Sequence, residues 1–314
     1  MILILSEKGD KVTDLVIDWL NYYNAHFLRI NNEDAVTSFS IKDGHFILSF
    51  NNFTFNSQDV KAFWHRRGWI NYDFFRNDFF QNANNSVKNH LFQEWKEVES
   101  YLYFRLFNIN GISNKLSNLN KLIVIDKARA VGFQVPEYFI TSTLNDEQNS
   151  ENLVVKAISD SIEFEKNSKA FTYYTEKIDV VNLRDRIPDT FFPTFFQKSI
   201  NILYDIRTIF VKNKIWSMAI HALDENDEII DYRKNYATLR YSPITLPKEF
   251  NNKIVKLMKI LYLDFAAIDF VVDKQDNIYF LEVNPYGQFE MVSSPCNFHI
   301  EREIAKILIN ESQK

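Results

Sequence analysis

The feature that most constrains this chain lies near its end, between Leu263 and Gln288, where two apolar runs rich in Ile, Val, Phe and Tyr flank the polar segment Lys274-Gln275-Asp276-Asn277. This arrangement predicts a β-hairpin, because the polar segment has the length and composition of a four-residue hairpin loop. A loop centred between Gln275 and Asp276 sets Asp269 opposite Glu282, and the alternation of side chains then puts Asn284 on the same face. Facing carboxylates repel, so either the pair lies on a solvated charged face or a cation sits between them. Hard oxygen donors of this kind suit Mg²⁺. Asn284-Pro285 and Gly287 after the second run favour a site. The reading hangs on register, since a loop shifted by one residue turns Glu282 to the face opposite Asp269.

At 314 residues the chain has room for more than one domain. Hydrophobic residues make up 46% of it and 29 are Phe, which excludes a disordered chain and predicts an aromatic-rich core. A formal net charge of -5 gives no electrostatic reason to expect nucleic acid as a partner. The lone Cys296 excludes an intramolecular disulfide framework and is read as structural, with a reducing interior as the default. Met1 to Leu5 is too short for a secretory apolar region, and no run is long enough to span a membrane, so a cytoplasmic protein is expected.

Ile2 to Leu5, Asp10 to Tyr23 and Ala25 to Ile30 read as strand, helix and strand, without the Gly-x-Gly-x-x-Gly turn of a dinucleotide site. Gly44 to Phe55 predicts hairpin strands. The cluster Trp64-His65-Arg66-Arg67-Gly68-Trp69 follows, whose arginines either clamp an anion or stack on aromatics to hold a domain edge. Asn89 to Phe107 is an amphipathic helix, and the polar stretch from Gly111 to Asn118 is the candidate boundary. A further helix opens at Asn120-Lys121 and stops at Gly132 before Pro136. Lysine is poorly matched to a helix N-terminus, so Lys121 either meets an anion or reaches solvent. Lys156 ends a short strand, Phe191 to Ile200 is an aromatic-rich connection, and Asp205 and Arg207 share a strand face. A turn is expected at Asn213-Lys214, and Phe250 to Leu261 is an amphipathic helix.

In their order, Lys121, Lys156, Phe196-Gln197, Asp205-x-Arg207, Arg233, Asp269 and Glu282-x-Asn284-Pro285 resemble the ATP-grasp ligases, over roughly Asn120 to Gln288. Trp64-His65-Arg66-Arg67, Asp205-Ile206-Arg207 and Asn284-Pro285-Tyr286-Gly287-Gln288 resemble in particular the graspetide (microviridin-type) peptide macrocyclases and their grasp-with-spasm branch. The chain departs from that pattern at Lys198, where relatives more often carry Glu, and in the Gly-poor loop after Lys156.

The resemblance implies an α/β (α+β) ATP-grasp fold with an N-terminal domain over 1–115, a central subdomain over 116–195 and a C-terminal subdomain over 196–314. It implies an enzyme that activates Asp or Glu side chains of a precursor peptide as acyl phosphates and closes ester rings with Thr or Ser, or amide rings with Lys. Asp269, Glu282 and Asn284 would hold two Mg²⁺ ions, while Lys121 and Lys156 line the α and β phosphates of ATP. Gln197, Lys198, Ser199 and Ile200 would border the adenine, and Asp205 the ribose or the peptide. Arg207 and Arg233 would meet the γ-phosphate or the acyl phosphate, and Arg66 and Arg67 the peptide. The implied partners are a precursor with leader and core segments and a second copy in a homodimer. Rival readings are a ligase that adds free amino acids to a C-terminus and a non-catalytic nucleotide- or peptide-binding module.

Overall fold

The computed structural model describes residues 1–76, 78–115, 119–143, 153–159, 163–166, 169–172, 176–178, 188–222 and 239–314. Contacts divide the chain into two compact units. Met1–Ser117, Tyr262–Phe265 and Tyr286–Lys314 form the first, and Asn118–Leu261 with Ala266–Pro285 the second.

The first unit opens as expected, with β1 (Ile2–Ser6), α1 (Lys11–Tyr22) and β2 (Phe27–Asn31), and β1 and β2 pair in parallel. All five residues of β1 are buried, which explains why its first four form a continuous apolar run instead of alternating. Strands β3 (Ser38–Lys42), β4 (His45–Ser49) and β5 (Thr54–Asn56) make a three-stranded antiparallel sheet. β6 (Ala62–His65) pairs with the other side of β1. Helix α2 (Asn85–Leu106) is capped by Asn84, whose Oδ1 accepts from Val87 N at 3.0 Å, and it packs Trp95, Leu102 and Leu106 into the core that holds Leu3 and Phe63.

The stretch named as the candidate boundary opens with a strand, β7 (Gly111–Ile112), the fourth of the parallel sheet, and the division between the two units falls at its end, between Ser117 and Asn118. Gly111 has a φ of 148°, and a Cβ there would collide with the backbone of Phe63. Its glycine therefore marks close strand approach, a requirement that looks the same in sequence as a flexible joint.

In the second unit α3 (Lys121–Ala130) starts at the expected residue, because Asn120 Oδ1 accepts from the N–H groups of Leu122 and Ile123. β8 (Tyr138–Thr141), β9 (Leu153–Lys156), β10 (Glu176–Ile178) and β11 (Thr194–Lys198) form an antiparallel sheet in the order β8, β11, β9, β10. β12 (Ile202–Val211), β13 (Lys214–Ala222), β14 (Leu239–Ile244), β15 (Phe265–Asp273) and β16 (Ile278–Asn284) form another in the order β14, β13, β12, β15, β16. The turn between β12 and β13 falls on Lys212-Asn213, with φ of 47° and 72°, one residue earlier than expected. Two positive φ values suit the twist of a two-residue hairpin. Helix α4 (Lys248–Ile260) covers the sheet's aromatic core, where the rings of Phe133, Phe250, Phe270 and Phe280 lie 5.1 to 5.9 Å apart.

Helix α5 (Ile300–Ser312) returns the chain to the first unit and packs on α1, with the Arg302 guanidinium 5.8 Å from the Trp19 ring. Among the described residues no helix is long and apolar enough to cross a membrane.

Candidate functional site

The hairpin of β15 and β16 has the expected pair but reaches it by another route. Its loop is three residues, Lys274 to Asp276, closed by a 3.0 Å bond from Asp273 N to Asn277 O, and Asp276 takes the left-handed conformation at φ 62°. The Asn277 side-chain amide, with the N–H groups of Asn277 and Gln275, holds the Asp273 carboxyl below its ordinary range and so pins the turn. This shorter loop sets Val272 opposite Ile278 and Phe270 opposite Phe280, a register that, continued, would bring Leu281 against Asp269. A β-bulge at Asp269/Phe270 admits Leu281 as an extra residue, after which Asp269 faces Glu282 and Ala267 faces Asn284. Phe280 and Glu282, two residues apart, therefore separate to opposite faces. Phe280 is fully buried against Phe270 and Phe133, while Glu282 stands 44% exposed beside Asp269.

Two cations meet these carboxylates. Arg207 of β12, the strand beside β15, places Nη1 at 2.7 Å from Asp269 Oδ1 and 2.6 Å from Oδ2. The two side chains are only 9% and 13% exposed, so Asp269 is not part of a solvated face. Lys121 extends from the start of α3 to donate to Ala157 O at 2.8 Å, with Nζ 3.9 Å from Glu282 Oε2 and 5.9 Å from the centre of the Phe195 ring. Carboxylate and carbonyl oxygens thus receive the charge that the helix N-terminus disfavours.

The other expected site residues are distributed as follows. Lys156 ends β9 opposite Phe195, whose ring lies under Lys121. Gln197 is buried in β11 between Tyr138 and Val154, and Ser199 and Ile200 connect β11 to β12. Lys198 reaches towards Glu137, Nζ to Oε2 3.6 Å, with 48% of its side chain exposed. Asp205 is buried two residues before Arg207, on the same strand face. Arg233 lies outside the described residues. Asp269, Glu282 and Asn284 present oxygen donors on one face, chemistry that fits a divalent cation. Among the described residues no group of three or more His, Cys, Asp and Glu is placed to hold a metal ion.

Arg66 and Arg67, the arginines expected at the peptide, are both tied to neighbours within the first unit. Arg66 is 1% exposed in the first unit, donating from Nη2 to Gly287 O at 3.2 Å and Gln288 Oε1 at 3.4 Å. Its guanidinium lies 5.3 Å from the Phe265 ring and 5.9 Å from that of Phe289, and burial pulls its pKa down to about 10 against the opposing pull of Asp10. Arg66 is thus enclosed and stacked on aromatics, whereas the Arg67 side chain stays 31% exposed. Arg67, strained at φ 135°, donates to Glu7 Oε1 and Tyr286 O. His65 is likewise internal. Its Nε2 is 2.9 Å from Gly68 O and its Nδ1 3.3 Å from Tyr286 Oη, and burial lowers its pKa to about 4.

Sequence reasoning missed Ala157, whose carbonyl anchors Lys121, and Phe195 beneath the ammonium. Period-two alternation from Gln197 was the available signal for Phe195, whereas a backbone carbonyl such as that of Ala157 leaves none in the sequence.

The RimK-like ATP-grasp domain family matches residues 182–308. An uncharacterized protein of Mycoplasma genitalium, MG012, is 31% identical over 103 residues, 33% of this chain, and the match spans about a third (34%) of that relative's length. Among solved structures, the RiPP-associated ATP-grasp ligase of Chryseobacterium gregarium, in complex with ADP and a leader and core peptide, aligns with a TM-score of 0.78 at 20% identity, over 99% of this chain and 96% of that one. The macrocyclase MdnC of Microcystis aeruginosa MRC, bound with precursor peptide MdnA, aligns at 0.72 and 23% identity over 99% of both chains. The ATP-grasp ligase PsnB with minimal precursor, Mg and ADP aligns at 0.71 and 16% over 99% and 97%. With alignments that run nearly end to end, the chain has the ATP-grasp fold, and residues 182–308 match the RimK-like form of its domain.

Proposed function

We propose that this chain is an ATP-dependent ligase that activates Asp or Glu side chains of a ribosomal precursor peptide and closes ω-ester rings with Thr or Ser, or ω-amide rings with Lys. The observation that carries the reading is the facing pair Asp269 and Glu282, with Arg207 and Lys121 against it. A carboxylate is a poor electrophile; phosphorylation by the γ-phosphoryl group of ATP gives an acyl phosphate, which a hydroxyl or amine attacks, leaving ADP and phosphate. The chemistry supplied by two Mg²⁺ ions is charge neutralisation across the phosphates.

Asp269, Glu282 and Asn284 hold those ions, and Lys121 and Lys156 draw the α and β phosphates. Arg207 and Arg233 offer planar paired donors to the γ-phosphate and the acyl phosphate. The segment from Gln197 through Lys198 and Ser199 to Ile200 borders the adenine, and Asp205 the ribose or the peptide. The working division of labour keeps 1–115, 116–195 and 196–314 as N-terminal, central and C-terminal parts, in a cytoplasmic homodimer. The peptide substrate is supported by relatives of this fold that are bound to leader, core or precursor peptides.

The test is incubation with ATP, Mg²⁺ and a short peptide rich in Thr with clusters of Asp or Glu, read by mass and by ADP release. Loss of one water per ring is expected, and Asp269→Asn and Glu282→Gln each abolish it. Undiminished ring formation in both variants rejects the metal assignment. A mass gain points to amino-acid addition, and nucleotide binding without ADP release to a non-catalytic module.

A further inference from the structure

Resting on the second copy that this reading includes, we infer that two copies of the chain join edge to edge through β3, antiparallel about Ser40. β3 is the outer strand of its three-stranded sheet, and all five of its residues are exposed. Phe39 and Ile41 lie opposite the buried Leu48 and Phe46, so their side chains share the core face, yet they stand 40% and 37% exposed. The Phe39 ring already packs at 5.5 Å on Trp95 and 6.0 Å on Tyr72. The core face therefore continues past its cover at this edge. A strand so exposed invites pairing with another chain unless charges or proline protect it. Lys42, beside the turn, is its only charge, and it holds no proline.

The backbone fixes the register. Asp43 and Gly44, with φ of 51° and 79°, make a two-residue turn, which sets Lys42 and His45 as a hydrogen-bonded pair. Alternation pairs Ser40 with Ile47 in the same way and leaves the N–H and C=O groups of Phe39 and Ile41 pointing out of the sheet. The Phe46 N–H agrees, donating away from Ile41 to Ser57 Oγ at 2.9 Å. Antiparallel pairing about Ser40 sets Phe39 against the partner's Ile41, so each outward N–H meets an outward C=O and apolar side chains cover one another on the core face. Ser40 faces its own counterpart, and Lys42 falls opposite the partner's Ser38, so no like charges meet. A strand that satisfies its edge with its own sequence favours a second copy over an unrelated peptide, and the two-fold contact closes without growing into a filament.

The test is position-specific cross-linking of the full chain, with Cys296→Ser to remove the native thiol. Ser40 and its counterpart form a non-hydrogen-bonded pair, about 4.5 Å between Cα atoms, which is within disulfide reach. Ser40→Cys is expected to give a covalent dimer on mild oxidation. Ser38→Cys alone is expected to give none and to cross-link only when mixed with Lys42→Cys. In sedimentation the wild type should have twice the mass of one chain. Ile41→Pro, which removes an outward N–H and leaves the ladder to β4 intact, should have half of that. If Ile41→Pro does not fold, the cysteine variants carry the test. A monomeric wild type overturns the inference, as does a dimer that persists in Ile41→Pro and does not cross-link through Ser40→Cys. A monomer whose Phe39 and Ile41 amides gain exchange protection only on adding a peptide assigns the edge to that peptide and equally overturns it. None of these results touches ring formation, which tests the ligase reading separately.

Discussion

Two arginine–aspartate pairs carry out opposite tasks in this molecule. Arg66 and Asp10, in the first unit, are each 1% exposed and meet through one contact of 3.4 Å from Nε, with Asp10 also accepting from Thr13 Oγ1 at 2.5 Å. Phe265 and Phe289 close over the guanidinium, and its Nη2 is spent on Gly287 and Gln288. Arg207 and Asp269, in the second unit, are shorter in contact, use both carboxylate oxygens and keep 9% and 13% of their side chains exposed. The sealed pair has no route by which another ion could replace either member, so it serves the fold. The hairpin pair keeps a small solvent-reached fraction, which the role proposed for it as part of a phosphate and metal site requires. Residue type does not separate the two; enclosure does.

The strongest way to break this comparison is to remove one member of each pair. Arg66→Met leaves Asp10 enclosed and uncompensated and is expected to cost about 3–5 kcal/mol in urea unfolding. Arg207→Gln, whose partner is reached by solvent, is expected to cost less than half of that. Equal losses would show that both pairs are structural. Adding Asp10→Leu to Arg66→Met should restore much of the lost stability, since paired apolar replacement removes the stranded charge.

A second effect sharpens the case for the first unit as a sealed anchor. His65 is half-buried beside Arg66 with its pKa lowered to about 4 from 6.5, so the unfolded chain binds its proton first as the pH falls. The stability this residue contributes is complete above pH about 6.5 and is lost on acidification towards pH about 4, to the extent of about 3 kcal/mol. His65→Gln should flatten thermal stability across that window. An unchanged slope would place the imidazole in contact with water.

The smallest effect is expected at Lys198. Its ion pair with Glu137 has side-chain exposures of 48% and 79%. Glu137→Gln should shift stability by less than about 0.5 kcal/mol in a denaturant titration, as exposed pairs usually do. A larger shift would mean that this pair, too, is held as part of a site.

Much of the hairpin was legible because its information is local. Two apolar runs around a polar loop identified the strands, and the Asn120 cap and Gly132 stop bounded the helix that presents Lys121. The lysine at the helix start was a legible anomaly, and the structure answers it with Ala157 O and Glu282. The facing of Asp269 and Glu282 was expected for an incomplete reason. A shorter loop moved the register by one residue and a bulge moved it back, and no local rule distinguishes Leu281 as the extra residue. What selects it is burial, because only a bulge lets Phe280 enter the aromatic core while Glu282 stays at the face with Asp269.

Taken alone, the sequence determined the strands and helices, the aromatic core, the acidic hairpin and the order of charged residues along the ATP-grasp pattern, since periodicity, caps and spacing are properties of neighbours along the chain. Only the tertiary structure decided which charges are partners: that Arg66 is sealed against Asp10, that Gly111 is a point of strand contact and that Arg207 and Lys121 stand on the paired carboxylates. Burial and charge pairing are set by residues distant in sequence, and those distances come into being only when the chain has folded.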